Sequence, residues 1–188
     1  MQNAPHIYAK DRDILWQWLL DNHQSLPSAW IVYDRGKNSQ LSYNDIVEVC
    51  LCFGWIDSRP GKVSDTQTKL YISKRKPKSA WSKSNKIRVQ ALTKSKSIQP
   101  AGQAAIDIAK ANGAWDALNK SDAFEIPLEM IELFKKYPLA KKNYESFSAS
   151  SKRIILEWIY SAKKQETKMK RIEQTVTLAQ KGIKAHHQ

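Results

Sequence analysis

The chain has 188 residues, of which 41% are apolar and 26% charged, and its formal net charge is +13. This length suits one large domain or two small ones with a real core. The longest uncharged apolar stretch, residues 49–56, is much shorter than the ~20 residues that span a bilayer, and the N-terminal residues lack the apolar segment of a secretory signal. With two cysteines only, a disulfide framework is excluded. We therefore expect a basic, globular, cytoplasmic protein without membrane insertion.

The excess positive charge is concentrated in one part of the sequence. Residues 59–96 contain twelve basic side chains and one acidic side chain, Asp65, whereas residues 1–58 contain four basic and seven acidic ones. A field of this kind attracts phosphate groups, nucleic acid or acidic protein surfaces. A solvated surface that only promotes solubility is the alternative interpretation.

The first elements along the chain are a helix and a strand. Asp11 or Asp13 can cap a helix whose apolar residues recur on one face, and Leu26-Pro27 ends it. Residues 28–34 are rich in β-branched and aromatic side chains, which predicts a strand.

A buried helix and a hairpin follow. Ser42 and Asp45 have the spacing of a capping box at the start of an apolar helix that stops before a glycine. We expect a strand over 55–59, a turn-rich connection beginning at Pro60, and a second strand over 68–73. The two strands would pair as a hairpin.

The rest of the sequence has helical patterns. Ser82 and Pro100 mark the starts of two helices, and four more helical segments follow residues 119–126, which we interpret as a linker. The predicted fold class is therefore α+β, with a small, mainly antiparallel sheet, packed helices and a C-terminal helical portion. The predicted domains are an α+β domain over 1–118 and a helical domain over 127–188.

A cationic segment at the predicted strand-to-helix junction is the first candidate site. Residues 74–85 combine Arg75 and Lys76 with Trp81 and the helix-capping Ser82. The unpaired N–H groups of a helix N-terminus favour an anion, which Arg75 could bind while Trp81 offers a stacking face. The alternative is a cationic loop whose tryptophan closes the core.

The apolar segment before the hairpin is the second candidate. Cys50 and Cys52, two positions apart on a helix, point to different sides and cannot chelate a metal together, so we interpret them as buried free thiols. Asp57 could act as a general base, but an ion pair with Arg59 or Arg75 is the favoured interpretation.

The third candidate lies near the C-terminus. Lys152 and Arg153 in the first turn of a helix oppose its dipole, which suggests that they pair with Glu157 or meet an anion. Lys164, Lys168 and Arg171 lie on one face of the last helix, where a solvated surface is the alternative. We find no phosphate-binding loop and no catalytic motif, so the case for catalysis is weak.

The candidate ligand-binding residues have charged, aromatic or hydrogen-bonding side chains. They are Trp55, Asp57, Arg59, Arg75, Lys76, Trp81, Ser82, Asn85, Arg153, Lys163 and Arg171. We predict no catalytic residue, no metal and no cofactor. The expected partner is an anionic small molecule or an acidic protein surface, with nucleic acid as the alternative, in which Trp81 or Tyr71 would stack on bases. An enzyme would require Asp57, Arg75 and Trp81 to line one pocket.

Several motifs along the chain form a recognisable set. They are LCFGWID at 51–57, RKPKSAWS at 75–82 with Asn85, PAG at 100–102 with Ala105, Lys110, Gly113 and Trp115, and, near the C-terminus, Arg153, 158–159, 162–163 and 166–172. Together they resemble the YdeI/OmpD-associated, or bacteriocin-protection, family over about residues 12–182. The resemblance implies a link to stress or to resistance against bacteriocins and antimicrobial peptides, without an established activity. We expect any protection to be indirect, because a protein of charge +13 repels a cationic peptide.

Overall fold

The computed structural model describes residues 4–36 and 39–186, and the chain forms two compact units, 1–115 and 116–188. The first unit contains β1 (His6–Tyr8), α1 (Arg12–Asn22), β2 (Ser28–Asp34), α2 (Tyr43–Cys52), β3 (Trp55–Lys62), β4 (Gln67–Lys74), α3 (Lys83–Lys94) and α4 (Pro100–Ala111). The second contains α5 (Asn119–Asp122), α6 (Leu128–Lys136), α7 (Pro138–Ser146), α8 (Ala149–Tyr160) and α9 (Gln165–Gln180). The predicted α+β class is confirmed.

The four strands form one sheet in the order β1-β2-β4-β3. Strand β1 runs parallel to β2, and the other two pairs are antiparallel, as expected for a mainly antiparallel sheet. Side chains alternate between the two faces of a strand, and Ala29, Ile31, Leu70 and Ile72 are buried on the same face of β2 and β4. Helix α2, whose apolar residues are almost all buried, lies against β3.

The predicted helix starts in the first unit are confirmed in atomic detail. Asp11 caps α1 by accepting a hydrogen bond from the backbone N–H of Ile14 at 2.9 Å. Ser42 and Asp45 form the predicted capping box, in which each side chain accepts from the backbone N–H of the other residue. The residue that follows the end of α2, Gly54, has a φ of +72°. Residues with a side chain rarely adopt this conformation, so glycine is favoured at this position.

The end of β3 differs from the prediction of a turn at Pro60. The strand continues through Pro60 and Gly61 to Lys62, and its register against β4 shifts between Asp57 and Pro60. A bulge and an edge position both tolerate proline, which cannot donate to a ladder, and β3 is an edge strand of this sheet.

Helices α2 and α4 approach each other through backbone atoms. A Cβ added to Gly102 on α4 would lie 2.2 Å from the carbonyl oxygen of Cys52, and one added to Gly54 would lie 2.7 Å from the carbonyl oxygen of Ala101. The N–H of Gln99 donates to that same Cys52 oxygen at 3.0 Å. Glycine is thus required where the end of α2 meets the start of α4.

The second unit has its own apolar core. Its largest buried side chains include Met130, Phe134 and Tyr144. The predicted linker 119–126 contains the short helix α5, in which Ser121 is buried, so this segment is part of the folded unit. Helix α8 is capped by Ser148, two or three residues before the predicted caps.

Between residues 4 and 36 and between 39 and 186, no helix combines the length and apolar character needed to cross a membrane.

Candidate functional site

Arg75 is held at the start of the loop that follows the hairpin. Its backbone N–H donates to the carbonyl oxygen of Gly54 at 3.0 Å, which ties the end of β4 to the turn after α2. Its Nη2 donates to the carbonyl oxygen of Ala80 at 2.6 Å, and its guanidinium lies 3.7 Å from the ring centroid of Trp81. The loop therefore folds back over its own arginine.

The guanidinium of Arg75 is incompletely satisfied. Its Nε and Nη1 are buried and have no hydrogen-bond partner among the residues that the structure describes. Burial lowers the pKa of Arg75 to about 10, while the carboxylate of Asp57 acts in the opposite direction. Arg75 thus stays charged at neutral pH, and leaving charged donors unpaired is costly. The result is a fixed positive charge just beneath the surface.

Trp81 does not offer a stacking face to a ligand, which corrects that prediction. The side chain is 1% exposed, Arg75 covers its ring, and the ring centroid of Trp115 lies 5.0 Å away. The alternative interpretation, a tryptophan that closes the core, is the correct one. Tyr71, the other predicted stacking residue, is half-buried with its ring edge-on to Trp30 at 5.0 Å.

Of three further predicted residues, two have local roles in the fold and one is exposed. Ser82 caps α3, because its Oγ accepts the backbone N–H of Asn85 at 3.2 Å, as predicted for a helix start. Trp55 is buried, and its Nε1 donates to the carbonyl oxygen of His23 at 3.3 Å. Arg59 is exposed on the edge strand β3.

Asp57 does not form the expected ion pair with Arg59 or Arg75. Its carboxylate instead accepts a hydrogen bond from the hydroxyl of Tyr43 at 2.8 Å. Partial desolvation, together with the hydrogen bond to that carboxylate, raises the pKa of Tyr43 to about 12 although much of its side chain is exposed. The register shift after Asp57 explains the difference, because it breaks the strand periodicity that would relate Asp57 to Arg59.

A cavity of about 340 Å³ lies beside Arg75. It is lined by His23, Gln24, Gly54, Lys74, Arg75, Lys76, Pro77, Ala101, Ala104, Ala105 and Ile108. The lining contains neither Asp57 nor Trp81, so the arrangement that an enzyme at this place would require is not formed in this cavity.

The two sides of this cavity differ in chemistry. One wall is apolar and comes from α4, whereas three consecutive cations, Lys74, Arg75 and Lys76, lie on the other side. Lys74 donates to the carbonyl oxygen of Gln24 at 2.6 Å, and Lys76 is exposed. No acidic side chain occurs among the described residues that line the cavity. Such a surface can hold a small anion that has an apolar part.

The cationic side of this cavity was predicted from the sequence, whereas its apolar wall was not. Ala101, Ala104, Ala105 and Ile108 recur at spacings of three and four, so one helix face carries all of them. That periodicity was the available signal, although it is also typical of a helix face that packs in a core.

The two cysteines are buried free thiols, as predicted. Burial raises the pKa of Cys52 to about 11 and that of Cys50 well above its usual value. Because the thiolate is the reactive form, we expect neither residue to react with a disulfide reagent in the folded protein at pH 8 and both to react in 6 M guanidinium chloride. Rapid release of one or two equivalents of chromophore from the native protein would contradict their burial.

The predicted cations of the second unit mostly have partners within that unit. Arg153 lies 3.8 Å from the carboxylate of Asp122. Lys152 donates to the carbonyl oxygen of Glu145 at the end of α7, 3.1 Å away. These contacts replace the expected pairing with Glu157 and offset the unfavourable position of both cations at a helix start. Lys163 is exposed.

Arg171 and Lys168 hold α9 against neighbouring elements. Arg171 donates to the carbonyl oxygen of Trp158 and, at 2.9 Å, to the Oγ of Ser161, and it lies 5.1 Å from the Trp158 ring centroid. Lys168 pairs with Glu129 at 2.9 Å, and its hydrogen bond lowers the pKa of that carboxyl to about 2. Both cations therefore have a structural explanation.

Comparison with known proteins divides the chain into two matched regions. Residues 7–105 match the model of a domain of unknown function, DUF8412, and residues 123–182 match the model described as bacteriocin-protection, YdeI or OmpD-associated. No curated protein and no solved structure matches the chain. The resemblance inferred from the sequence is thereby confirmed for the C-terminal part. Since the first model covers more than half of the 188 residues, the chain belongs to the DUF8412 family, and it carries a C-terminal YdeI/OmpD-associated region.

Proposed function

We propose that the protein is a non-catalytic binding module whose first unit takes a small organic anion in the cavity beside Arg75. The observation that carries the proposal is the lining of this cavity, which combines three consecutive basic residues, Lys74, Arg75 and Lys76, with apolar residues of α4 and includes no acidic residue among those described. The ligand class that fits is a carboxylate or phosphate monoester with a short apolar chain.

The apolar wall argues for a ligand with a hydrocarbon part. Ala101, Ala104, Ala105 and Ile108 present methyl and butyl groups to the cavity, and burying apolar surface there contributes roughly 25 cal/mol per Å². A volume of about 340 Å³ lies at the lower end of the range for small-molecule pockets. An inorganic ion alone would leave this wall uncovered.

The charge of the cavity argues for an anion. Lys76 is exposed and can contact a ligand directly, whereas Arg75 supplies a buried charge that its own loop only partly satisfies. A bound anion would lower the cost of keeping Arg75 charged in a partly desolvated place, because an opposite charge favours the protonated form. Binding should therefore stabilise the folded protein.

Hexanoate and analogues that lack either its charge or its chain test the two features separately. At constant ionic strength, we expect hexanoate to raise the melting temperature, and 1-hexanol, hexylammonium and acetate to have much smaller effects. Lys76→Glu should weaken hexanoate binding by about tenfold, because attraction is replaced by repulsion at the cavity. Thermal-shift titration followed by isothermal calorimetry measures both effects.

The matched control is Lys78→Glu, which makes the same charge change at an exposed lysine outside the cavity. Ala104→Phe adds a large side chain at an exposed position of the apolar wall, so it should block hexanoate without unfolding α4. Equal stabilisation by hexanoate and hexylammonium, or equal losses in the Lys76 and Lys78 variants, would contradict the proposal.

A role in bacteriocin or stress protection is part of the proposal, and the match of residues 123–182 to the YdeI/OmpD-associated model supports it. We propose that this role is indirect, through the bound anion or an acidic partner, because the net charge of +13 opposes binding of a cationic peptide. Nucleic-acid binding by residues 59–96 stays a prediction, and retardation of single-stranded RNA at low salt tests it.

A further inference from the structure

A second recess of about 720 Å³ lies between α3 and α4. It is lined by Val89, Gln90, Thr93, Lys94, Gln103, Ile106, Lys110 and Trp115. Val89 and Ile106 are buried and form an apolar floor, and Trp115 is half-buried at one end. We call this recess the α3–α4 groove.

Cations surround the indole of the α3–α4 groove. The Nζ atoms of Lys86 and Lys110 lie 5.6 Å and 5.4 Å from the ring centroid of Trp115. Lys86, Gln90 and Lys94 follow each other at intervals of four residues, so they form one line along α3. Both helices therefore carry positive charge at the edge of the groove, and Trp115 provides an aromatic surface between them.

The α3–α4 groove is separate from the cavity beside Arg75. With 3.6 residues per turn, Ala104, Ala105 and Ile108 lie on one face of α4, and Gln103, Ile106 and Lys110 lie on the opposite face. The two sites thus share a helix and no lining residue. Ligands at each can be tested independently.

We propose that the α3–α4 groove binds a nucleoside diphosphate. The base would stack on Trp115, the amides of Gln90 and Gln103 would supply donors and acceptors for its edge, and the diphosphate would lie among the lysines. Asp116 follows Trp115 directly in the sequence, and Asp107 accepts a hydrogen bond from Gln103 at 2.8 Å, but neither carboxylate belongs to the lining. The lining itself contains no acidic residue among those described.

The size and composition of the groove favour a nucleotide over a simple anion. Its volume lies within the usual range for small-molecule sites, and three of its eight lining residues, Val89, Ile106 and Trp115, are apolar or aromatic. Base stacking on an aromatic side chain contributes enough to change affinity by about tenfold or more. A nucleoside diphosphate should therefore bind more tightly than either of its parts.

Isothermal calorimetry with ADP, adenosine and pyrophosphate at constant ionic strength tests the proposal. We expect ADP to bind at least tenfold more tightly than pyrophosphate and than adenosine. Trp115→Leu should remove the preference for ADP over pyrophosphate, and Trp115→Phe should retain it, which separates stacking from a loss of folding. Lys110→Glu should weaken both ADP and pyrophosphate by about tenfold, and the Lys78→Glu control should weaken neither.

Measuring the binding of both ligands to each variant distinguishes the two proposals. Lys110→Glu should leave hexanoate binding unchanged, and Lys76→Glu should leave ADP binding unchanged. Equal affinity for ADP and pyrophosphate, no binding of ADP at millimolar concentration, or an unchanged preference in folded Trp115→Leu would overturn the nucleotide proposal. None of these results would affect the response to hexanoate.

Discussion

Replacing Trp81 by alanine is expected to lower the free energy of unfolding of the first unit by about 3–5 kcal/mol, the usual cost of truncating a buried tryptophan. The side chain is 1% exposed, it lies against Trp115, and the guanidinium of Arg75 stacks on it. Removal of the indole would also leave an empty space next to the guanidinium of Arg75. Guanidinium unfolding followed by tryptophan fluorescence measures the change, since six of the seven tryptophans belong to the first unit.

Trp81→Phe is the control, because it keeps an aromatic ring in the same place and should cost clearly less than alanine. A half-buried tryptophan on the sheet, Trp30, offers a second comparison, and Trp30→Ala should destabilise less than Trp81→Ala. A decrease of less than about 1 kcal/mol in the free energy of unfolding of Trp81→Ala would mean that this side chain has little packing role. Trp81 would then not be a core residue.

Gly102→Ala is expected to lower the free energy of unfolding by about 1–3 kcal/mol, although alanine favours a helix by about 1 kcal/mol over glycine. The added Cβ would lie 2.2 Å from the carbonyl oxygen of Cys52 and 2.8 Å from that of Leu51, and backbone atoms cannot move aside as a side chain can. Helix α4 would have to shift away from α2. Because α4 forms the apolar wall of the cavity, hexanoate binding should weaken as well.

The neighbouring Gln103→Ala is the matched control, since it introduces the same residue at an exposed position of α4. It should change the free energy of unfolding by less than about 0.5 kcal/mol. Stabilisation by Gly102→Ala would show that helix propensity outweighs the contact with α2, which would contradict the close approach of the two helices.

Local signals explain why many elements could be predicted. The caps Asp11, Ser42 and Ser82 act within one turn of their own helix, so sequence spacing alone reveals them. The strand Ser28–Asp34 is rich in β-branched and aromatic residues, which are enriched in strands. Each of these predictions depends on neighbours within a few residues.

The errors arise where distant parts of the chain meet. Strand β1 has three residues, too few for a periodic pattern, and its structure depends on β2, about 20 residues further on. Trp81 lies in a cationic segment of the sequence, which suggested a binding residue. Only its packing against Trp115 and Arg75 shows that it closes the core. The apolar wall of the cavity comes from α4, far from the cationic segment along the sequence.

Amide chemical shifts in the ¹⁵N-labelled chain of 188 residues test the location of a bound anion most directly. On titration with hexanoate, we expect the largest shift changes at Gly54, Arg75, Lys76 and Ala105, which line the cavity, and much smaller changes with hexylammonium. Changes confined to the α3–α4 groove or to residues 116–188, or equal changes with both compounds, would contradict an anion site beside Arg75.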